Sequence, residues 1–467
     1  MKHLALLLFV FCFACEAAAA ALPKPVQAAL KQAGIPLSAI GVVVQQTGAR
    51  SPLISVNAKQ AMNPASTMKL LTTYAGLELL GPAYAWKTEA YLDGELKDGV
   101  LQGNLILKGY GDPKLTLEQF WLWLRELRAR GLRDIRGDLV LDRSFFDLPP
   151  YDPAAFDNDP VRAYNVGPDA LLLNFNTLRL RYLPNGNGMK IISDPPLEGI
   201  RLDNLLVPLP APSCDNWDDT IRVQPEGDSV VLQGGYPGEC GEREHNLSVI
   251  PHTRYVDALF RTLWHELSGI LEGKARDGAV SANAQLFSTH YSAPLGEIIR
   301  DINKFSNNVM ARQLFLTLGA SPAAGAEPVS LERSTQTVHA WLSGKHLDFP
   351  ELVLENGAGL SRNERISAQH LAQLLQSAAQ SPLSAELAAS LPILGVDGSV
   401  RKRLRESPSA GHAHLKTGTL EGVKTIAGYV RSQTGDEWIV VFLINHPNAK
   451  LGQLAQDALI EWLQQQH

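Results

Sequence analysis

The stretch Asn63–Lys69, Asn-Pro-Ala-Ser-Thr-Met-Lys, opens a helical run that extends to Leu80 and is ended by Gly81-Pro82. Residues three apart on a helix share a face, so the Ser66 hydroxyl and the Lys69 amine lie within reach of each other. A serine becomes a nucleophile beside a base, and a lysine serves if its pKa falls well below about 10.4. Ser66 can equally be an N-cap with Lys69 solvated, because chance alone supplies about one S-x-x-K in a chain of this size.

A second stretch, Lys416-Thr417-Gly418-Thr419, favours the catalytic interpretation of Ser66 and Lys69 over the N-cap interpretation. It lies in the first of three consecutive predicted strands, at 414–420, 425–432 and 438–445. Chance supplies a K-T-G in fewer than about one such chain in ten. A lysine and two hydroxyls suit a substrate carboxylate, and a glycine lets a substrate backbone lie close to the strand. The alternative is an exposed lysine at a strand end before a bulge glycine.

A third motif, S-x-N, is ambiguous because it occurs several times. The matches are Ser55/Asn57, Ser281/Asn283, Ser306/Asn308 and Ser361/Asn363. We favour Ser306 and Asn308, because they lie between helices predicted at 294–304 and 308–318, where both side chains can point into a cleft.

In this order, S-x-x-K, S-x-N and K-T-G resemble the signature of the penicillin-recognising acyl-serine enzymes. More narrowly, the chain resembles the class C low-molecular-mass penicillin-binding proteins, the D-alanyl-D-alanine carboxypeptidase/endopeptidase family. The resemblance covers nearly the whole mature chain, although Asn307 replaces a common Asp and Tyr110 a frequent glycine. Further matching stretches are Gly109–Pro113, Asn303–Asn308, Glu355–Arg362, Leu394–Ser399 and Leu415–Leu420.

The resemblance implies an α/β (α+β) fold: a transpeptidase domain of the penicillin-binding-protein and β-lactamase type, with a sheet flanked by helices. Ser66 and Ser306 are 240 positions apart, whereas the motifs of the compact β-lactamases lie closer together. We therefore expect a discontinuous catalytic domain, 22–85 plus 282–467, interrupted by inserted β-rich domains at 86–281. A nested β-rich piece is expected at about 170–245.

The resemblance also implies roles. Ser66 would attack the peptide carbonyl between two D-alanines, Lys69 would take its proton, and Ser306 would relay a proton to the leaving amine. The backbone N–H groups of Ser66 and Thr419 would form the oxyanion hole.

The substrate-binding residues implied by the resemblance are Asn308 and the K-T-G strand. Asn308 would hold an amide of the substrate, while Lys416, Thr417 and Thr419 would bind its carboxylate beside Gly418. Peptidoglycan stem peptides and β-lactams are the implied partners, and we expect no metal or cofactor. One alternative is a β-lactamase, disfavoured because neither E-x-x-L-N nor, after Ser66, Y-x-N occurs. Another is a non-catalytic penicillin-binding sensor or scaffold.

Composition and the N-terminus bear on the compartment. The chain has 42 Lys and Arg against 48 Asp and Glu, a net charge of -6, so no basic field favours nucleic acid. Residues 1–21 read as a secretory signal whose apolar run is too short for a membrane anchor. With export, Cys214 and Cys240 form a disulfide candidate, two free thiols being the alternative. The resemblance places the enzyme in the periplasm of a Gram-negative bacterium.

Overall fold

The structure, a computed structural model, describes residues 21–185, 188–210, 214–320 and 328–466. The predicted signal, residues 1–21, lies outside them except for Ala21. The helices are α1 Lys24–Gln32, α2 Lys69–Leu80, α3 Leu117–Ala129, α4 His252–Glu266, α5 Leu295–Lys304, α6 Asn308–Leu318, α7 Leu331–Gly344, α8 Ala368–Ala379, α9 Ser384–Ser390 and α10 Gln453–Gln464.

The strands before the long middle helix α4 are β1 Ile40–Gln46, β2 Ile54–Val56, β3 Ala61–Met62, β4 Lys87–Lys97, β5 Val100–Gly109, β6 Asp134–Ile135, β7 Leu139–Asp142, β8 Leu178–Asn185, β9 Gly188–Asp194, β10 Arg201–Pro208, β11 Ile221–Glu226, β12 Ser229–Tyr236 and β13 Arg243–Leu247. Those after it are β14 Ile270–Leu271, β15 Ala275–Asp277, β16 Gln285–Tyr291, β17 Ile366–Ser367, β18 Ala413–Leu420, β19 Val423–Arg431 and β20 Glu437–Asn445.

A five-stranded antiparallel sheet joins the two ends of the chain, in the order β18-β19-β20-β1-β2. Side chains alternate between the faces of a strand, and here both faces are apolar. Val42 and Val44 pack into a core that includes α1 and α10, whereas Val43 packs into a core built on α2, α5, α6 and α8. The sheet is therefore flanked by helices on both sides, which confirms the predicted fold class.

Strand β18 lies at the edge of this sheet, because β19 pairs along only one of its sides. Among the described residues, its other side carries one isolated bridge, between His414 and Ile393. The Leu415 N–H still donates to the Pro392 carbonyl, so the backbone is open to a further extended chain from Lys416 onward.

The segment between α2 and α5 builds a core of its own. A seven-stranded sheet (β4–β7 and β14–β16) packs with α3 and α4, and two three-stranded sheets, β10-β12-β11 and β13-β8-β9, extend from it. Because β16 pairs with β4, the larger sheet continues to Tyr291. The domain limits 86–281 and 170–245 stay predictions.

The predicted disulfide is confirmed. Cys214 and Cys240 are bonded, with their Cα atoms 5.5 Å apart, and Cys240 ends the short 3-10 turn Gly238–Cys240 after β12. The bond closes a loop within the small sheets, and it excludes the alternative of two free thiols.

Candidate active site

Ser66 lies in a 3-10 turn, Ala65–Met68, that runs directly into α2. The Nζ of Lys69 donates a hydrogen bond to Ser66 Oγ at 3.0 Å. Lys69 is completely buried, as are all the residues that follow it in this helix as far as Leu77. The spacing of three residues therefore pairs the hydroxyl with a dehydrated amine rather than with a solvated one.

Two further acceptors hold Lys69 in place. Its Nζ donates to Asn308 Oδ1 at 2.6 Å and to the carbonyl of Ala358. Burial is the main cause that lowers the pKa of Lys69 well below its usual value, and the nearby charge of Lys416 adds to it. The carboxylate of Glu364 opposes this shift. The result is an amine that can be neutral enough to act as a base.

Lys416 lies on the opposite wall, in β18, and is also completely buried. Its Nζ donates to Ser306 Oγ and to the Thr417 carbonyl, both at 2.8 Å. Burial lowers the pKa of Lys416 to about 7. The K-T-G lysine therefore faces into the site, contrary to the alternative of an exposed strand-end residue.

Ser306 and Asn308 lie where α5 gives way to α6. Ser306 has a left-handed backbone, φ +56, a strained conformation for a residue with a side chain. Asn307 caps α6 by accepting a hydrogen bond from the Met310 N–H at 3.0 Å. Asn307, which stands where Asp is common, therefore serves as the N-cap of the helix. The side chains on either side of it, Ser306 and Asn308, contact Lys416 and Lys69.

The other S-x-N matches have different surroundings. Ser281 bonds to Asp93 in the inserted segment, Ser361 bonds to Glu355, and Ser55 lies in β2 at the far edge of the sheet. Of the four matching pairs, the structure brings Ser306 and Asn308, the pair favoured from the sequence, to Lys416 and Lys69.

The turn Ala65–Met68, which contains Ser66, packs closely against the edge strand β18. A Cβ on Gly418 would lie 2.8 Å from both the Ser66 nitrogen and the Pro64 carbonyl oxygen. The Thr425 hydroxyl donates to that same carbonyl at 2.7 Å. Ala65, with φ +45, continues the strained turn. Gly418 is therefore required for the close approach of strand and turn.

Ser66, Ser306 and Asn308 line an open cleft of about 570 Å³. Thr417 and Thr419 contribute hydroxyls to its wall; Thr417 also bonds to Ser399 at 2.7 Å. Phe305 and Leu420 supply apolar surface. Lys69 and Lys416 lie beneath the hydroxyls of this cleft, and the open edge of β18 lies beside it. The cleft therefore suits an extended substrate that carries a carboxylate.

Sequence reasoning missed Glu364, which is completely buried behind Lys69. One of its oxygens accepts the backbone N–H groups of Glu355, Asn356 and Gly357 at 3.0–3.1 Å. The carboxylate thereby orders the loop whose next residue, Ala358, binds the Lys69 amine. No local pattern marks it, because a single Glu in a polar stretch reads as solvated.

A serine paired with a buried lysine, a second lysine on a sheet edge and helices on both faces define the class of penicillin-binding serine enzymes. The D-Ala-D-Ala carboxypeptidase 3 (S13) family model matches residues 22–466, and the chain belongs to that family of serine peptidases.

Relatives and solved structures agree with this assignment. The chain is 29% identical over 462 residues to a D-alanyl-D-alanine carboxypeptidase of Actinomadura sp. (strain R39), covering 94% of this chain and 83% of the relative. It is 26% identical over 423 residues to D-alanyl-D-alanine carboxypeptidase DacB of Haemophilus influenzae, covering 87% of this chain and 85% of that relative. The crystal structure of penicillin-binding protein 4 (dacB) from Haemophilus influenzae matches with a TM-score of 0.78 at 25% identity, covering 94% of this chain and 99% of that one. That protein has also been solved in complex with a β-lactam.

Proposed function

We propose that this chain hydrolyses the peptide bond after a D-alanine in peptidoglycan stem peptides, through an acyl-enzyme on Ser66. The observation that carries the proposal is the 3.0 Å contact between Ser66 Oγ and the fully buried Lys69, whose pKa burial lowers. Family membership gives the reaction class, and the site supplies the residues for it.

In the proposed first half-reaction, Lys69 takes the Ser66 proton as Oγ bonds to the carbonyl carbon. The bond from that carbon to nitrogen then breaks, and Ser306 passes a proton to the leaving amine. The Ser66 and Thr419 N–H groups would bind the oxyanion, an effect worth roughly 3–4 kcal/mol per donor in other enzymes. Water hydrolyses the ester in the second half-reaction.

The walls of the Ser66 cleft also support a mode of substrate binding. The substrate backbone would lie along the open edge of β18, with its carboxylate near Lys416 and Thr417 and an amide near Asn308. A β-lactam, which carries a carboxylate next to a reactive carbonyl, would acylate Ser66 and persist there.

We also propose that the protein works in the periplasm after removal of the N-terminal signal. The cell-wall substrate and the disulfide between Cys214 and Cys240 support this location. Within the described ranges, the structure contains no helix that is both long and apolar enough to cross a membrane.

The proposal predicts two results with purified mature protein. Benzylpenicillin should add one penicilloyl group per chain, seen as an intact-mass increase. A synthetic peptide that ends in D-Ala-D-Ala should release one D-alanine. Fast penicillin hydrolysis without a lasting adduct would favour a β-lactamase instead, and an adduct without peptide cleavage would favour a penicillin-binding scaffold.

The pH dependence of acylation is a further prediction. The kcat/KM for benzylpenicillin should fall as the pH rises above about 7, because the free enzyme loses the Lys416 cation that binds the carboxylate. It should also fall on the acid side as Lys69, whose pKa is lowered by burial first and by Lys416 second, takes up a proton. Stopped-flow acylation between about pH 4 and pH 10 measures both limbs.

Benzylpenicillin methyl ester is the control for the alkaline limb. It lacks the carboxylate, so its lower rate should not decline as Lys416 deprotonates. A profile for benzylpenicillin that stays flat from neutral pH to about pH 9 would contradict the lowered pKa of Lys416.

A further inference from the structure

The short 3-10 turn Gly398–Val400 packs against β18 near the middle of the strand. The chain before this turn covers the first part of the strand edge, since the Leu415 N–H donates to the Pro392 carbonyl at 2.8 Å. From the turn itself, the Ser399 hydroxyl reaches the Thr417 hydroxyl, and the two oxygen atoms are 2.7 Å apart. Ser399 therefore lies where the covered part of the edge ends and the open part, the proposed path of the substrate, begins.

The chemistry of the two hydroxyls gives this contact a direction. A hydroxyl has one hydrogen to donate, whereas a carboxylate can only accept. If Thr417 donates its hydrogen to the substrate carboxylate, as the proposed binding requires, it can only accept a hydrogen bond from Ser399. Within the described ranges, Ser399 is also the one hydrogen-bond partner of the Thr417 side chain. The Ser399 hydroxyl therefore controls the direction in which the Thr417 hydrogen points.

The position of Ser399 is fixed by Asp397, which directly precedes the turn. One carboxylate oxygen of Asp397 accepts the Ile393 N–H at 2.7 Å, and the other accepts a hydrogen bond from Lys304 Nζ at 2.6 Å. The Lys304 side chain is only 8% exposed, and its Nζ also donates to the Leu391 carbonyl at 2.9 Å. Hydrogen bonds between charged groups are stronger than neutral ones, so this pair holds the start of the turn in place.

The same contacts connect the turn to Ser306. Lys304 is the last residue of α5 and lies two positions before Ser306. Gly398 has φ +58, and a Cβ there would lie 2.8 Å from the Lys304 carbonyl oxygen, so the turn packs directly on the end of this helix. Ser306 accepts a hydrogen bond from Lys416 on β18. The turn is thus fixed against both segments that form the proposed carboxylate site.

We infer that Ser399 is a positioning residue for the substrate carboxylate: it donates a hydrogen bond to Thr417 and thereby directs the Thr417 hydrogen to that carboxylate. The inference rests on the proposed function and deepens it by adding a residue that lies outside the three motifs. Ser399 is exposed, so its hydroxyl can be removed without opening a cavity in the core.

Ser399→Ala tests this with benzylpenicillin and its methyl ester, which differ in the carboxylate. For benzylpenicillin we expect the second-order rate constant of acylation to fall about fivefold, the effect of one neutral hydrogen bond. Acylation by the methyl ester should stay within twofold, because the ester has no carboxylate for Thr417 to bind. Ser399→Thr keeps the hydroxyl and should restore the rate with benzylpenicillin to within twofold of the wild type.

A double-mutant cycle with Thr417→Ala tests whether Ser399 acts through Thr417. In the Thr417→Ala background, Ser399→Ala should change acylation by benzylpenicillin less than twofold, because the hydroxyl that Ser399 orients is already absent. Ser343→Ala, at an exposed position on α7, is the matched serine control and should change neither rate.

The outcomes separate this inference from the proposed function. Equal losses with benzylpenicillin and its methyl ester, or no loss with either, would overturn the role of Ser399 and leave the proposed function intact. So would a loss from Ser399→Ala that persists undiminished in the Thr417→Ala background. Wild-type protein that forms no penicilloyl adduct and releases no D-alanine would refute the proposed function, and this inference with it.

Discussion

Ser66→Ala is expected to abolish peptide hydrolysis and penicillin acylation while the protein stays folded. The variant removes the oxygen that would form the covalent bond in the proposed mechanism, and loss of a serine nucleophile reduces kcat by on the order of 10⁶-fold in another serine peptidase. Ser66 is only partly buried and its hydroxyl contacts the cleft, so the core is unaffected. D-alanine release and the intact mass after benzylpenicillin measure the loss.

Thermal unfolding by circular dichroism supplies the stability readout for Ser66→Ala, and its midpoint should match that of the wild type within a few degrees. Ser193→Ala is the matched serine control, because its hydroxyl bonds to the Pro195 carbonyl in the inserted segment. That variant should keep full activity. A penicilloyl adduct on Ser66→Ala would show that another residue is the nucleophile.

Gly418→Ala is expected to produce the second largest effect. The new methyl group would lie 2.3 Å from Thr425 Oγ1 and 2.8 Å from both the Pro64 carbonyl oxygen and the Ser66 nitrogen. Backbone atoms cannot rotate away, so β18 and the turn that contains Ser66 must separate. We expect acylation to fall at least about 100-fold, as misplacement of reacting groups by about 1 Å can do. Unfolding should require about 1–3 kcal/mol less free energy, the usual cost of overpacking.

Gly344→Ala provides a matched glycine control, because a Cβ there meets no atom within 4 Å. It should leave acylation and stability nearly unchanged. Urea unfolding and stopped-flow acylation of both variants separate the effects. Wild-type acylation by Gly418→Ala would contradict the required close approach of the strand to Ser66.

Local elements were predictable where pattern and propensity agreed. The helices predicted at 294–304 and 308–318 are observed at Leu295–Lys304 and Asn308–Leu318; the first buries one apolar face, whereas the second is buried on all sides from Val309 to Leu318. The last three predicted strands are also confirmed, within two residues at each end. In these segments the local pattern predicts the type of element correctly, because the tertiary structure does not override it.

Some contacts in the site could be predicted from the sequence, and others could not. The S-x-x-K spacing predicts the contact between Ser66 and Lys69, because a single turn of helix sets it. Four S-x-N matches are equivalent along the chain, and only packing separates them. Ser306 meets Lys416 across 110 residues, a distance in sequence over which no local rule acts.

The sequence by itself indicated the class of enzyme through S-x-x-K and K-T-G, because each of these motifs depends on residue type at short spacing, and it made Cys214 and Cys240 a disulfide candidate. Only the tertiary structure decided that Lys69 and Lys416 lose their water together, that Gly418 touches the Ser66 turn, and that Glu364 is buried behind Lys69. Burial and charge at a site depend on groups from distant segments of the chain, and these groups come together only when the chain folds.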